Sequence, residues 1–281
     1  MSTVAFWSPL EGGSGSSAHA AAAAACLGLE YRLRILLGHG GTAGERVEGA
    51  FRSSRLVLDH SLVSFHDHGM DALERLAVNR RLFRDNFRDY TIPVLPERLD
   101  FIQGNDRRGG TLPGYRAQSV QSIVTIANQC YDLVLLDAGS GMGAAGDPGD
   151  GAMLEQADLI VVSLTQSVQG LEHFFSGRHY PDQLKDKPVI LVLGRYDKES
   201  HCTLHNIKRR FGYKGILHGV PYNTDFMDAW NMHGVMNYMQ RSRNLNERHP
   251  SAHFYGSIRQ LAKDLMNMLE IPALKMVGRG A

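Results

Sequence analysis

The chain of 281 residues is 43% hydrophobic and 21% charged, a composition that excludes a disordered, collagen-like or coiled-coil protein. Thirty basic against 29 acidic residues leave a formal charge of +1, so the total charge gives no reason to expect binding to nucleic acid or to an anionic membrane. The three cysteines lie far apart without CxxC spacing, and no apolar run approaches the roughly 20 residues that span a bilayer. We therefore expect a single cytoplasmic domain over residues 1–281.

Short apolar runs bounded by turn residues recur along the chain, and they predict strands that are buried on both faces. Helix-compatible stretches lie between several of these runs. This alternation predicts an α/β fold with a doubly wound, mostly parallel sheet and helices on both faces. The predicted strands cover residues 3–7, 33–37, 99–103, 133–136, 159–164, 189–193 and 216–220, and the predicted helices include residues 16–27, 72–87, 117–128, 168–175 and 253–269.

A loop rich in glycine and serine separates the first predicted strand from an alanine-rich helix. Residues 11–18 read EGGSGSSA. A strand, a glycine loop and a helix N-terminus together direct backbone N–H groups and the helix dipole at one point, where a phosphate can bind. A Gly/Ser-rich turn without a ligand is the plain alternative for this loop taken alone.

A carboxylate follows the predicted strand 133–136. Asp137 is placed there to hold Mg²⁺, usually through water, beside a phosphate in the neighbouring loop. The plain alternative is an aspartate that only ends a strand and starts a turn. The loop and the carboxylate together are much more specific than either feature alone.

Two further glycine-rich segments, residues 104–114 and 139–151, predict mobile loops after strands, where open α/β sheets bind ligands. Asp71 is predicted to cap the helix over residues 72–87, with Glu74 completing a variant of the capping box. His66, Asp67 and His68 could form a metal cluster on paper. No second ligand pair of known spacing follows them, so we favour the absence of a metal there.

Four segments in this order resemble the ParA/MinD family of P-loop proteins, in the SIMIBI class. Residues 11–18 lie where that family has its deviant Walker A motif, KGGVGKTT, and residues 131–137 resemble its Walker B strand. Residues 157–162 are similar to the strand that follows, and residues 220–234 to the late segment near the adenine. The resemblance implies an ATP and Mg²⁺ site, with nucleotide bound by Gly12, Gly13, Ser14, Gly15, Ser16, Ser17, Ala18, Arg195, Pro221 and Tyr222, and metal bound by Ser17 and Asp137.

Within this family, residues 6–9 and 69–73 are most similar to the TadZ/CpaE-type members associated with Tad (Flp) pilus assembly. The resemblance implies a homodimer, and pilus or secretion machinery proteins as further partners. The tail from residue 272 contains proline and two glycines with few basic residues, so we expect at most peripheral membrane contact.

Both lysines of the family motif are missing from this chain. Glu11 stands at the position of the signature lysine, where its charge would repel the terminal phosphate unless it turns outward to pair with an arginine. Ser16 stands at the position of the Walker A lysine, and all seven lysines of the chain lie at Lys185 or later. A charged hydrogen bond contributes roughly 1.5 to 3 kcal/mol, so we expect weaker nucleotide binding. A missing transition-state cation removes a rate factor of about 10³ to 10⁵, so we expect little or no hydrolysis.

Two positions near the expected site remain open between a functional and an ordinary role. No carboxylate follows the second predicted strand, where the family has the aspartate that orients the attacking water. His39 lies there and could act as a base, but we favour a loop histidine without a role. After the strand 189–193, Arg195 or Tyr196 could stack on a base, or both could be ordinary surface groups.

The resemblance and the missing lysines together indicate a positioning or scaffold factor that works by assembly. The alternative is an active ATPase of the ParA/MinD type that uses a substitute arginine, such as Arg195. A Rossmann-type dinucleotide enzyme is disfavoured because the glycine spacing is not GxGxxG and no acidic residue closes the second strand.

Overall fold

A computed structural model describes residues 1–39, 47–51, 69–104, 113–141, 148–177 and 181–272. Within these ranges one sheet contains the strands β1 (Ser2–Ser8), β2 (Ile35–His39), β3 (Ile92–Leu95), β4 (Leu99–Ile102), β5 (Leu133–Ser140), β6 (Leu159–Thr165), β7 (Val189–Gly194) and β8 (Ile216–Val220). The strand order is β3-β4-β2-β5-β1-β6-β7-β8. All pairs are parallel except β3 with β4.

Eleven α-helices lie in the described part of the chain, and they cover both faces of the sheet. They are α1 (Ser16–Glu30), α2 (Glu48–Phe51), α3 (Gly69–Val78), α4 (Arg84–Phe87), α5 (Pro113–Cys130), α6 (Pro148–Gln156), α7 (Val168–Phe175), α8 (Leu204–Phe211), α9 (Thr224–Asn231), α10 (Val235–Ser242) and α11 (Pro250–Met268). Residues of α1, α2, α9, α10 and α11 share one buried cluster, and residues of α3 to α8 share the other. The predicted doubly wound α/β fold is confirmed.

Helix α1 packs against the centre of the sheet. Its six consecutive alanines, residues 20–25, are all 0% exposed, and such small side chains let a helix approach a sheet closely. Side chains of successive β1 residues point to opposite faces: Val4 and Phe6 join the cluster that contains α1, and Ala5 and Trp7 join the other cluster. Strand β1 and helix α1 are therefore held on both sides, which fixes the loop between them.

The parallel strands place the expected site residues at one edge of the sheet. Strands β5, β1, β6 and β7 are consecutive neighbours and run in the same direction. Their carboxyl ends therefore meet at one edge, where open α/β sheets bind ligands. The glycine loop after β1, Asp137 in β5 and Arg195 after β7 all lie at this edge.

The edge strand β3 was not predicted. Pro93 lies within it, and proline lacks the N–H that an interior strand donates, so it is confined to sheet edges. In the described part of the chain, strand β3 pairs only with β4, and Pro93 is exposed. Pro93 makes the sequence of β3 look unlike a strand, but a strand at the edge of a sheet can contain proline.

The predicted helix over residues 72–87 is wrong in its bounds. Helix α3 already begins at Gly69, so Asp71 lies inside its first turn and is not the N-cap. The helix ends at Val78, where Arg80 adopts a left-handed φ of 54° and Arg81 N–H donates to the Leu76 carbonyl. This closing pattern ends a helix, and a separate short helix, α4, follows.

The two predicted glycine-rich loops are shorter than expected. Helix α5 begins at Pro113 and helix α6 at Pro148, because proline suits the first turn of a helix. Strand β5 extends to Ser140. The rest of these loops, residues 105–112 and 142–147, lies outside the described residues, as do His66, Asp67, His68 and the tail from residue 273. Among the helices of the described ranges, none has both the length and the apolar character needed to cross a bilayer.

Candidate nucleotide site

The glycine loop has an open, left-handed backbone. Gly12, Gly13 and Gly15 have φ angles of 72°, 75° and 78°, which side chains other than glycine rarely adopt. Among the described residues, a Cβ built on Gly12 would meet no atom within 4 Å, and one on Gly13 would meet only Thr165 Cγ2, at 4.0 Å. Gly15 is the N-cap of α1, whose first N–H groups have no partner inside the helix. The surface of the loop is therefore accessible to an anion.

The serines of the loop differ in their surroundings. Ser14 is buried, and its carbonyl oxygen lies against Gly194 so closely that a Cβ on Gly194 would overlap it. Ser16 Oγ is buried and has no hydrogen-bond partner among the described residues, while Ser17 and Ala18 are half-buried. The free Ser16 hydroxyl at the helix start fits a polar ligand there.

A buried histidine supports the loop from inside α1. His19 Nδ1 lies 2.9 Å from Ser163 Oγ of β6, and its ring would lie 3.4 Å from a Cβ on Gly15. Burial lowers the pKa of His19 to about 4, so the ring is neutral near pH 7. His19 therefore braces the loop without supplying the positive charge that the loop lacks.

Asp137 lies beside the loop, as its sequence position predicts. It pairs in register with Phe6 of β1 and is 0% exposed. Its Oδ1 accepts a hydrogen bond of 3.2 Å from Gly139 N–H, whereas Oδ2 has no partner among the described residues. A buried carboxylate oxygen without a partner is costly, and hydrated Mg²⁺ is a group that would satisfy it. The donor set fits this cofactor.

Glu11 lies on the β5 side of the loop. A Cβ on Gly141 would be 2.6 Å from Glu11 Cγ, so this side chain lies against the segment that follows β5. Within the described residues no arginine or lysine forms an ion pair with Glu11. The pairing with an arginine that would keep the Glu11 charge away from a phosphate is therefore not seen in this part of the chain.

Comparisons with known proteins identify the architecture. No family model and no curated protein sequence matches the chain, but solved structures do. A ParA family ATPase from Chlorobium tepidum superposes with a TM-score of 0.70 at 16% identity, over 93% of this chain and 98% of that one. The fold is that of the ParA and MinD ATPases.

Two further structures with this fold contain nucleotides. A plasmid partition protein from Borrelia burgdorferi bound to AMPPNP has a TM-score of 0.65 at 13% identity, over 94% of this chain and 100% of that one. The septum site-determining protein MinD from Pyrococcus horikoshii, complexed with Mg-ADP, has a TM-score of 0.64 at 13% identity, over 96% and 98%. Two proteins with this fold thus bind adenine nucleotides, one of them together with Mg²⁺.

A buried histidine and a buried glutamate form a pair that their positions in the sequence do not indicate. His39 is the last residue of β2, 0% exposed, so the interpretation as a loop histidine is wrong. Its Nε2 lies 3.2 Å from Glu48 Oε1, and its ring stacks on Phe101 with centroids 6.2 Å apart. Glu48 was not singled out, because only the folded chain brings α2 back to the end of β2.

The expected base-binding residues follow β7 and β8, on the side of β1 that lies away from Asp137. Arg195 and Tyr222 are exposed, Tyr222 by 57%, and Pro221 is half-buried. Tyr196 is less available, because its ring lies against Gly219. Of the two residues proposed to stack on a base, Arg195 is therefore the more accessible.

Proposed function

We propose that this chain is an ATP-binding positioning or scaffold protein of the ParA/MinD type, with a degenerate Walker A loop and little or no hydrolysis. The proposal depends on one observation: the loop of left-handed glycines directly follows β1, which pairs in register with the β5 strand that carries Asp137, and the buried Oδ2 of Asp137 has no partner among the described residues. Gly12 to Ala18 would surround the phosphates, and Ser17 and Asp137 would hold Mg²⁺, which supplies positive charge when bound. Arg195, Pro221 and Tyr222 would contact the base.

Weak turnover follows from the charges at the loop. Glu11 and Ser16 replace the two cations that the resemblance leads one to expect, and His19, the buried imidazole next to Gly15, is neutral at pH 7. Backbone N–H groups bind phosphate in the ground state, but a cation stabilises the charge that develops during phosphoryl transfer. The proposed site therefore favours retention of nucleotide over its hydrolysis.

The test is calorimetry with Mg-ATP, together with a phosphate-release assay. We expect measurable binding without significant turnover, and we expect Asp137→Asn to weaken the Mg²⁺-dependent part of binding. Asp158→Asn is a matched control, because Asp158 precedes β6 at the opposite edge of the sheet and accepts a hydrogen bond from Thr3 N–H. Absence of any ATP binding would reject the proposal, and rapid turnover would reject its scaffold part.

Active hydrolysis is the second candidate. It is favoured by the position of Arg195, which is exposed. Arg195 directly follows Gly194, and the backbone of Gly194 contacts the loop at Ser14. If this arginine substitutes for lysine, Arg195→Ala abolishes phosphate release while Mg-ATP binding persists. If Arg195→Ala lowers phosphate release and Mg-ATP binding equally, or changes neither, this candidate is contradicted.

The scaffold proposal includes a cytoplasmic homodimer that acts with pilus or secretion machinery proteins of the Tad type. It is supported by the resemblance of residues 6–9 and 69–73 to TadZ/CpaE-type proteins. Glu11 and Ser16 stand at the two lysine positions, so neither position can place a positive charge on a partner's nucleotide. We therefore expect that dimerisation does not require ATP. Light scattering is expected to give the same dimeric mass with and without Mg-ATP, and a monomer in both conditions contradicts the proposal.

A further inference from the structure

Two buried polar atoms that have no hydrogen-bond partner among the described residues belong to residues paired in register on neighbouring strands. His39 of β2 pairs in register with Asp137 of β5, and neighbouring strands are only about 4.8 Å apart. Both residues are 0% exposed, and both His39 Nδ1 and Asp137 Oδ2 are without a hydrogen-bond partner among the described residues. Residues in register on parallel strands point to the same face, which here is the face covered by α1.

Glu48 determines which nitrogen of His39 carries the proton. Glu48 Oε1 accepts a hydrogen bond of 2.7 Å from Gly104 N–H, and His39 Nε2 lies 3.2 Å from the same oxygen. A carboxylate oxygen accepts, so Nε2 must donate, and we assign the proton to it on this network. Nδ1 is then an acceptor, and the stacking on Phe101 holds the ring plane.

Two adjacent acceptors require donors from outside the described residues. The waters of a hydrated divalent cation supply such donors, and the cation also balances the Asp137 charge. Side chains alone do not form the site, since the described residues contain no group of three His, Cys, Asp or Glu that could hold a metal ion. Contact through water is thus the arrangement that these acceptors fit.

The order of the strands agrees with this assignment. Strands β5 and β2 lie on one side of β1, and β7 and β8 lie on the other. If the base is bound near Arg195 and Tyr222, as in the proposed function, the phosphates run across the loop toward Asp137 and His39. These two residues then lie at the end where a cation on the terminal phosphates would bind.

We propose that His39, oriented by Glu48, is a positioning residue for the nucleotide-bound cation and accepts a hydrogen bond from a water of its hydration shell. The inference rests on the proposed function and adds a residue that the family motif does not contain. His39 acts on the affinity for the cation, and it has no contact with the metal-free nucleotide.

The experiment titrates Mg²⁺ into the protein in the presence of a fluorescent ATP analogue. His39→Gln retains an N–H donor for Glu48 but removes the Nδ1 acceptor, whereas His39→Asn retains an acceptor near the Nδ1 position. Loss of an outer-shell partner typically lowers metal affinity by about tenfold or more. We expect His39→Gln to raise the Mg²⁺ midpoint by about tenfold with unchanged binding in EDTA, and His39→Asn to restore most of the affinity.

His218→Gln is the matched control. His218 on β8 also pairs with a carboxylate, Asp264, at 3.1 Å, but it lies at the far edge of the sheet from Asp137. Its substitution should leave the Mg²⁺ midpoint unchanged. If His39→Gln does not fold, Glu48→Gln is the second variant; it keeps an oxygen acceptor for Gly104 and should raise the midpoint by about threefold, less than loss of the acceptor itself.

The outcomes separate this inference from the proposed function. An unchanged Mg²⁺ midpoint in the folded variants overturns the role of His39, and so does an equal loss of affinity with Mg²⁺ and with EDTA. In both cases nucleotide binding by the wild-type protein still supports the proposed function. If the wild-type protein binds no nucleotide at any Mg²⁺ concentration, the proposed function fails and this inference fails with it.

Discussion

The two sides of strand β1 differ at the carboxyl edge of the sheet. On the side of β5 and β2, Asp137 and His39 are fully buried, and each keeps one polar atom without a partner among the described residues. On the side of β7 and β8, Arg195 and Tyr222 are exposed, and the close contact there is between backbone atoms of Gly194 and Ser14. Buried polar groups without partners are costly, so the first side has the features of a specific small-ligand site. The second side holds the loop in place.

The largest effect is expected from the backbone contact on the β7 side. A Cβ at Gly194 would overlap the Ser14 carbonyl oxygen, so Gly194→Ala must displace the loop, at a cost of about 3 kcal/mol in the free energy of unfolding. Urea unfolding measures this cost, and ATP binding should weaken in parallel. Gly256→Ala in α11, where a Cβ meets no atom within 4 Å, should be neutral or slightly stabilising. Equal effects of the two variants would show that the contact does not constrain the loop.

The next largest effect is a dependence of stability on pH that originates at His19. Its pKa is about 4 in the folded protein and about 6.5 in an unfolded chain. Between these values the unfolded state binds a proton that the folded state does not, so the free energy of unfolding decreases as the pH falls from about 6.5 to about 4. The total decrease is about 3 kcal/mol.

This pH effect is measured by urea unfolding in EDTA at several pH values. His19→Asn keeps a polar group near Ser163 Oγ but cannot titrate, so its stability should depend less on pH than that of the wild type. Subtraction of the two curves removes the contribution of the carboxylates. Parallel curves would contradict the assignment of the effect to His19.

A smaller effect, an increase in the free energy of unfolding, is expected when the charge of Asp137 on the β5 side is removed. Among the described residues its buried carboxylate accepts one hydrogen bond, from Gly139, and Asp137→Asn keeps that acceptor while it removes the charge. The metal-free protein should therefore become more stable by about 1 kcal/mol, while Mg²⁺-dependent nucleotide binding weakens. Thermal unfolding in EDTA measures the gain. A loss of stability would mean that the carboxylate has a structural partner, and the comparison between the two sides would lose its main support.

The smallest effect is expected at Tyr222, an exposed residue that the proposed function places in contact with the base. Tyr222→Ala should weaken ATP binding by about 0.5 to 1 kcal/mol if the ring stacks on the base, with no change in the Mg²⁺ midpoint. Phe83, which is exposed by 60% against 57% for Tyr222, provides the matched control. If Phe83→Ala and Tyr222→Ala have the same effect on ATP affinity, Tyr222 does not contact the nucleotide.

The sequence was sufficient for features that depend on neighbours along the chain. The apolar runs, the glycine loop between β1 and α1 and the aspartate after the run 133–136 are local patterns. The structure confirms a strand at each run and the loop between β1 and α1, but it shifts β2 to Ile35–His39 and extends β5 past Asp137 to Ser140. Prediction failed at β3, where Pro93 hides an edge strand, and at Arg80, where a left-handed residue ends a helix whose side-chain pattern continues. In both cases the side-chain pattern of the segment does not predict the backbone conformation that the segment has in the fold.

The sequence by itself thus predicted the strands, the glycine loop and the absence of lysines from it, because periodicity, glycine content and charge are properties of short segments. Only the tertiary structure decided that Glu48 holds His39, that His39 adjoins Asp137 and that Gly194 supports Ser14. These contacts join segments that are far apart in the chain, and they depend on the order and register of the strands. The period of the apolar residues predicts that a strand exists, but it does not determine which strand lies beside it.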